Sequence, residues 1–81
     1  MSYVVYILYS STTNKYYVGS TEDVQQRLHE HNTRNDKYTS QGKPWELKYV
    51  EEYYTRSEAV RREKEIKKKK SRKYIESLLS R

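Results

Sequence analysis

The sequence predicts an α+β domain of element order β-β-α-β-α-α, and three observations carry that prediction. Tyr3 to Ser10 and Lys15 to Ser20 are short runs rich in β-branched and aromatic residues, joined by the turn-forming Ser11-Thr12-Thr13-Asn14. Trp45 to Tyr54 alternates Trp45, Leu47 and Tyr49 against Glu46 and Lys48, the period of a strand. Between and after these runs, capping residues precede segments with apolar residues at helical spacing.

The first two runs make an antiparallel hairpin whose register follows from the turn. A four-residue loop of Ser11 to Asn14 sets Ser10 opposite Lys15, Leu8 opposite Tyr17 and Tyr6 opposite Gly19. Paired residues share a sheet face, so Tyr6, Leu8, Tyr17 and Gly19 fall together, with the two tyrosines as diagonal neighbours. Gly19 leaves space opposite Tyr6. A loop one residue longer would put the tyrosines on opposite faces.

The first helix is expected to be capped by Ser20 or Thr21, with Glu22 and Asp23 in its first turn, and to run to about Asn32. Val24 and Leu28 form its apolar stripe. Arg27 and His31 project from one edge of that stripe, a turn apart, toward the hairpin. Thr33 to Lys43 has no apolar periodicity and reads as a polar loop carrying Arg34, Lys37 and Lys43. Thr55-Arg56-Ser57-Glu58 is a capping box for a second helix, which carries Ala59, Glu63 and Ile66 on one stripe and reaches about Lys70. Ser71 caps a third, with Tyr74, Ile75, Leu78 and Leu79 toward the core.

Length and composition narrow the function classes. A chain of 81 residues supports one domain, residues 1–81, with one modest core, and the absence of cysteine excludes disulfides and thiolate zinc sites. His29 and His31 are the sole histidines. The longest apolar run, inside Tyr3 to Tyr9, is far too short for a membrane span, and Met1 opens no signal-peptide pattern, so the expectation is a cytoplasmic protein without a membrane partner. A net charge of +6 favours a polyanion, whether DNA, RNA or an anionic surface. Ten tyrosines and no phenylalanine mean that much of the aromatic core carries hydroxyls needing partners.

Glu63 is the most informative single residue, because a carboxylate between Ala59 and Ile66 is costly to bury alone. Two readings stand: an i,i+4 pair with Lys67, or a ligand for Mg²⁺ or a similar hard cation that keeps most of its water shell. Tyr6 and Tyr17 are either strand aromatics or a functional pair. Arg27 and His31 likewise have ordinary surface and hydrogen-bonded readings. It is their conjunction that is specific.

In order and spacing these residues resemble the GIY-YIG nuclease superfamily, over nearly the whole chain. Val4-Val5-Tyr6 stands where that family has Gly-Ile-Tyr, departing at two packing positions, and Tyr17-Val18-Gly19 matches the second half with Val for Ile. The family's helix arginine falls on Arg27, its next-turn histidine or tyrosine on His31, and its metal-binding glutamate on Glu63. The chain is similar to the small stand-alone members and to the nuclease domain that begins the bacterial excision-repair endonuclease subunit. The resemblance implies the GIY-YIG fold, with a central three-stranded antiparallel sheet flanked by helices. It also implies an endonuclease that hydrolyses phosphodiesters, with DNA the expected substrate, through one Mg²⁺ or Mn²⁺ ion.

On that basis Glu63 holds the metal and Arg27 donates to the nonbridging oxygens as charge builds. Tyrosine, with a free pKa near 10, needs help as a base, so the proton falls to Tyr6, Tyr17 or His31, with Tyr17 favoured as water activator. The run Lys67, Lys68, Lys69, Lys70 with Arg72 and Lys73 reads either as phosphate-contacting surface or as a solvated helix end whose cations suit the dipole. At this length a site-selecting domain is not expected, which leaves specificity to a protein partner, dimerisation or substrate shape. The competing class is a nucleic-acid-binding module that keeps the fold without useful catalysis.

Overall fold

A computed structural model describes residues 2–33 and 43–80. Its elements are β1 (Tyr3–Ser10), β2 (Lys15–Thr21), α1 (Val24–Thr33), β3 (Trp45–Tyr53), α2 (Arg56–Lys69) and α3 (Arg72–Leu79). The predicted order is the observed one. The three strands form one antiparallel sheet in the order β2-β1-β3. β1 is central and covered on both faces, which is why Val4 to Leu8 is an unbroken buried run.

The hairpin register is the one the turn dictates, with Tyr6 opposite Gly19, Leu8 opposite Tyr17 and Ser10 opposite Lys15. Asn14 closes the turn at φ 55°, the left-handed conformation Asn tolerates. Even-numbered residues of β1 therefore face α1, packing Tyr6 and Leu8 with Trp45, Tyr17 and Leu28. Odd-numbered residues face α2 and α3, packing Val5 and Ile7 with Ala59, Ile66 and Leu78.

Two local predictions are corrected. Asp23, not Ser20 or Thr21, accepts the Gln26 N–H at 3.1 Å, so α1 starts at Val24 and β2 continues to Thr21. Thr21 instead accepts from the Asp23 N–H at 3.2 Å, making the turn into the helix. In β3 the alternation does not stay on one face. Ile7 pairs with Tyr49 but Leu8 with Leu47, so Lys48 is an extra residue in a bulge. Trp45 and Leu47 consequently lie under α1, while Tyr49, Glu51 and Tyr53 lie under α2. α1 rests on Trp45 and Leu47 as well as on the hairpin.

Thr55 caps α2 by accepting the Glu58 N–H at 3.2 Å, and Ser71 caps α3 by accepting the Tyr74 N–H at 3.1 Å. Lys70 turns between them at φ 47°. The predicted polar loop, with Arg34 and Lys37, lies outside the described residues except at its ends, Thr33 and Lys43. Among the described residues no helix is long and apolar enough to cross a membrane.

Candidate active site

The α1 face of the sheet gathers four of the aromatic side chains. The Tyr6 and Tyr17 rings lie 6.3 Å apart and near-parallel, as diagonal neighbours on adjacent strands should. His31, 5% exposed, sets its ring edge-on to Tyr17 at 4.5 Å and to Tyr6 at 6.2 Å, and Trp45 closes the cluster 6.2 Å from Tyr17. The Tyr6 hydroxyl is 3.4 Å from His31 Nε2. Asn32, next in the helix, grips the start of β3 by accepting the Trp45 N–H at 2.6 Å and donating to the Trp45 carbonyl at 3.2 Å. That pair of hydrogen bonds fixes the end of α1, and with it His31, against Trp45.

Gly19 decides where the Tyr6 hydroxyl sits. A β-carbon at position 19 would lie 2.5 Å from Tyr6 Oη and 2.7 Å from its Cζ, so the phenol occupies the space a side chain would fill. The Arg27 guanidinium lies by the same hydroxyl and donates from Nη1 to Glu30 Oε1 at 2.9 Å. Burial pushes the Tyr6 phenol up to about 12, only partly offset by the Arg27 hydrogen bond, with the charges of Tyr17 and Glu63 adding to the rise. The bonds to Tyr6 and Glu30 keep Arg27 more firmly protonated than an ordinary arginine.

Glu63 comes from the opposite face. It sits on α2 between the buried Ala59 and Ile66, yet its carboxylate reaches the sheet edge because β2 is the outer strand and Ser20 points toward α2. Ser20 Oγ donates to Glu63 Oε1 at 2.6 Å, and Lys67 Nζ donates to Oε2 at 2.7 Å. The lysine pairing expected of this helix is therefore formed, together with a tether to the residue after Gly19. Around Gly19 and Ser20 the Tyr6 hydroxyl, its Arg27 partner and the Glu63 carboxylate come within electrostatic reach of one another. A polar cleft of about 450 Å³, bounded by Ser20, Arg27, Glu30 and Arg56, opens beside them.

Among the described residues no group of three or more His, Cys, Asp or Glu side chains could cage a metal. A divalent ion at this site would rest on Glu63 alone from the protein. That donor fits a hard cation that retains most of its hydration shell and takes further oxygens from a phosphate, and it does not fit a stripped, fully protein-ligated ion.

The residues of the basic run lie in different surroundings. Lys67, Lys70 and Arg72 border a groove of about 470 Å³ between β2 and the α2–α3 junction, with Lys15 on the facing wall. Arg72 is largely engaged: it donates from Nη1 to the Asn14 carbonyl at 2.7 Å and from Nη2 to Asn14 Oδ1 at 2.6 Å, and lies 5.1 Å over the Tyr16 ring. Lys69 lies over Tyr74 at 5.5 Å. Lys68 and Lys73 are exposed and not part of that groove.

Two polar contributions escaped the sequence reading. Arg56 lines the cleft from the first turn of α2, where a cation opposes the helix dipole, and that mismatch was a usable signal. Arg62 pairs with Glu51 beneath the sheet, a contact hidden by the β3 bulge.

A tyrosine-lined antiparallel sheet with an arginine helix on one face and a glutamate helix on the other is the architecture of a small nuclease-type domain. Residues 2–75 match the GIY-YIG catalytic domain, and the chain belongs to the GIY-YIG family. Within it, relatives include a UPF0213 protein of Halobacterium salinarum, 44% identical over 64 residues, covering 78% of this chain and 82% of that one. A UPF0213 protein of Staphylococcus aureus is 43% identical over 67 residues, covering 82% of this chain and 80% of its own length. The solution NMR structure of a UPF0213 protein from Bacillus halodurans superposes with a TM-score of 0.60 at 34% identity, covering 99% of this chain and 84% of that one. The fold expected from the resemblance is thus the fold of the family.

Proposed function

We propose that this chain is a divalent-metal-dependent endonuclease that hydrolyses phosphodiester bonds in DNA with little sequence preference of its own. The observation that carries the reading is the meeting of Tyr6, Arg27 and Glu63 around Gly19 and Ser20, where elements from both sheet faces bring a cation, a hydroxyl and a carboxylate together. Family membership supports it.

Glu63 is the residue that would hold Mg²⁺ or Mn²⁺, and the ion when bound supplies charge that stabilises the scissile phosphate and the leaving oxygen. Arg27 donates to a nonbridging oxygen as negative charge grows there. Burial raises the Tyr6 phenol to about 12, which makes it the poorer base of the two tyrosines. Its hydroxyl lies 3.4 Å from His31 Nε2, a contact that orients the imidazole. In this reading Tyr17, whose ring lies edge-on to His31, removes the proton and the histidine serves as relay. The water oxygen forms the new P–O bond, the P–O bond to the leaving strand breaks, and the water proton ends on the departing oxygen.

Cleavage of supercoiled plasmid and of a branched oligonucleotide by wild type and Glu63→Ala, with Mg²⁺, Mn²⁺ or chelator, tests the proposal. Product is expected from wild type with metal, with a loss of roughly 10³-fold or more in the variant. If no substrate is cut by either protein while both bind it in a salt-dependent way, the reading gives place to a binding module.

A further inference from the structure

Both oxygens of Glu63 are occupied by the protein itself, and the two partners differ in kind. Ser20 is a neutral donor on the sheet, compatible with a cation on the other oxygen. Lys67 is a cation in contact with Oε2, the oxygen that Ser20 leaves open to a metal ion. The Glu63 side chain is 19% exposed and that of Lys67 51%, so the ammonium covers the carboxylate from the solvent side. Two cations cannot share one carboxylate oxygen at contact distance without strong repulsion. Binding of an ion therefore requires Lys67 to leave.

Where Lys67 can go is also fixed. Its backbone belongs to the last turns of α2, on the wall of the groove that Lys15, Lys70 and Arg72 border and that Ile66 and Ile75 floor. Among the described residues Lys15 and Lys70 make no ion pair, so the groove already carries uncompensated positive charge. A third ammonium entering it is unfavourable unless an anion is there.

We propose that Lys67 is an exchangeable counter-cation: it occupies Glu63 in the metal-free protein and moves to a phosphate of a nucleic-acid strand lying in the β2/α2–α3 groove when an ion takes its place. This rests on Glu63 being the metal ligand. Ion and strand then bind cooperatively, because each stabilises the arrangement of Lys67 that the other needs. By linkage the coupling is the same in both directions. An exposed pair screened by solvent sets its size at roughly three- to tenfold in affinity, shrinking as salt rises.

The test uses the full chain and Mn²⁺, read by the electron paramagnetic resonance signal of the free ion. Without nucleic acid, Lys67→Met is expected to bind Mn²⁺ roughly three- to tenfold more tightly than wild type, since the competing charge is gone. Lys67→Arg restores the pairing and stays near wild type, and Lys70→Met leaves Mn²⁺ affinity unchanged. A second arm measures binding of a labelled single-stranded oligonucleotide by fluorescence anisotropy, in a Tyr17→Phe background that suppresses cleavage. There Mn²⁺ tightens oligonucleotide binding when Lys67 is present and ceases to do so in Lys67→Met. Equal Mn²⁺ affinity in wild type and Lys67→Met, with binding lost in Glu63→Gln, overturns the exchange and leaves the metal assignment standing. Equal Mn²⁺ affinity in wild type and Glu63→Gln removes the metal assignment, and the exchange with it.

Discussion

On the α2 side of the sheet the interior polar groups close on one another, whereas on the α1 side they gather at the strand edge and open on a cleft. Beneath α2, the Glu51 carboxylate accepts from Arg62 Nε at 2.9 Å and Nη2 at 3.2 Å, from Tyr53 Oη at 2.7 Å, and from Tyr49. Arg62 in turn donates from Nη1 to Tyr74 at 3.1 Å and to Glu65. Every partner is a residue of the chain, so the network's product is stability. At the β2 edge, Tyr6 and Arg27 from the α1 face and Glu63 from the α2 face come together around Gly19 and Ser20, next to a polar cleft. A site that takes a phosphate keeps donors turned toward solvent, and under the proposed function that is the side that opens on the cleft.

The sharpest way to break that division is Gly19→Ala. The added methyl would stand 2.5 Å from Tyr6 Oη, and Tyr6 is 1% exposed, so the phenol must shift away from Arg27 and His31. The expected loss of cleavage is about 10²-fold or more, because misplacement of a positioned group is costly even at small displacement. Overpacking should also cost about 1–3 kcal/mol of stability. Combining Gly19→Ala with Tyr6→Phe removes the closest clashing atom and should recover part of the stability without the activity. Urea unfolding of the three variants checks this, and strictly additive losses would contradict the contact.

The opposite pattern is expected from Glu51→Gln, which should cost stability and spare cleavage per folded molecule. Burial alone would raise the Glu51 carboxyl, but the hydrogen bonds from Arg62, Tyr49 and Tyr53 outweigh it and hold the group at about 2, below its ordinary value of 4.5. A carboxyl depressed on folding contributes stability that is full above the unfolded value and is lost as pH falls from there through the folded one. The contribution at neutral pH is roughly 2–3 kcal/mol. Urea midpoints of wild type and variant should therefore differ at pH 7, converge below about pH 4.5 and meet near pH 2. A gap that stays constant with pH would show that Glu51 is not held ionised by this network.

The same two faces explain what the sequence disclosed. Tyr6 and Tyr17 could be placed together because a four-residue turn fixes the hairpin register and period-two alternation does the rest. Glu63 drew notice because a carboxylate between Ala59 and Ile66 breaks a local rule. The Glu51–Arg62 pair stayed hidden because the bulge at Lys48 changes the face that Tyr49 and Glu51 occupy, and a simple alternation carries no sign of it. The helix start was misplaced for a related reason: Ser20, Thr21 and Asp23 are all capable caps, and only the extension of β2 to Thr21 decides among them. Ser20 is then freed to tether Glu63. The burden on Lys67 was legible as a helix pair, but its position on the groove wall depends on how α3 folds back at Lys70.

Asn32 gives the smallest and most discriminating of these tests, because it is to the α1 face what Arg62 is to the other. Its side-chain amide makes two bonds to the Trp45 backbone, at 2.6 and 3.2 Å, and sits beside His31 without touching the cleft. Asn32→Ala leaves the Trp45 N–H and carbonyl to find other partners, at a cost of about 1–2 kcal/mol, or a fall of some 4–16 °C in Tm for a domain of this size. If the clamp serves only stability, as the Arg62 network does, cleavage per folded molecule is unchanged. If it positions His31 for proton transfer, the rate should fall about tenfold while oligonucleotide affinity holds, since the proposed mechanism gives binding to the lysines and the rate to the histidine. The second outcome is expected, because the clamp ties the end of α1 to the start of β3 and His31 lies one position before it.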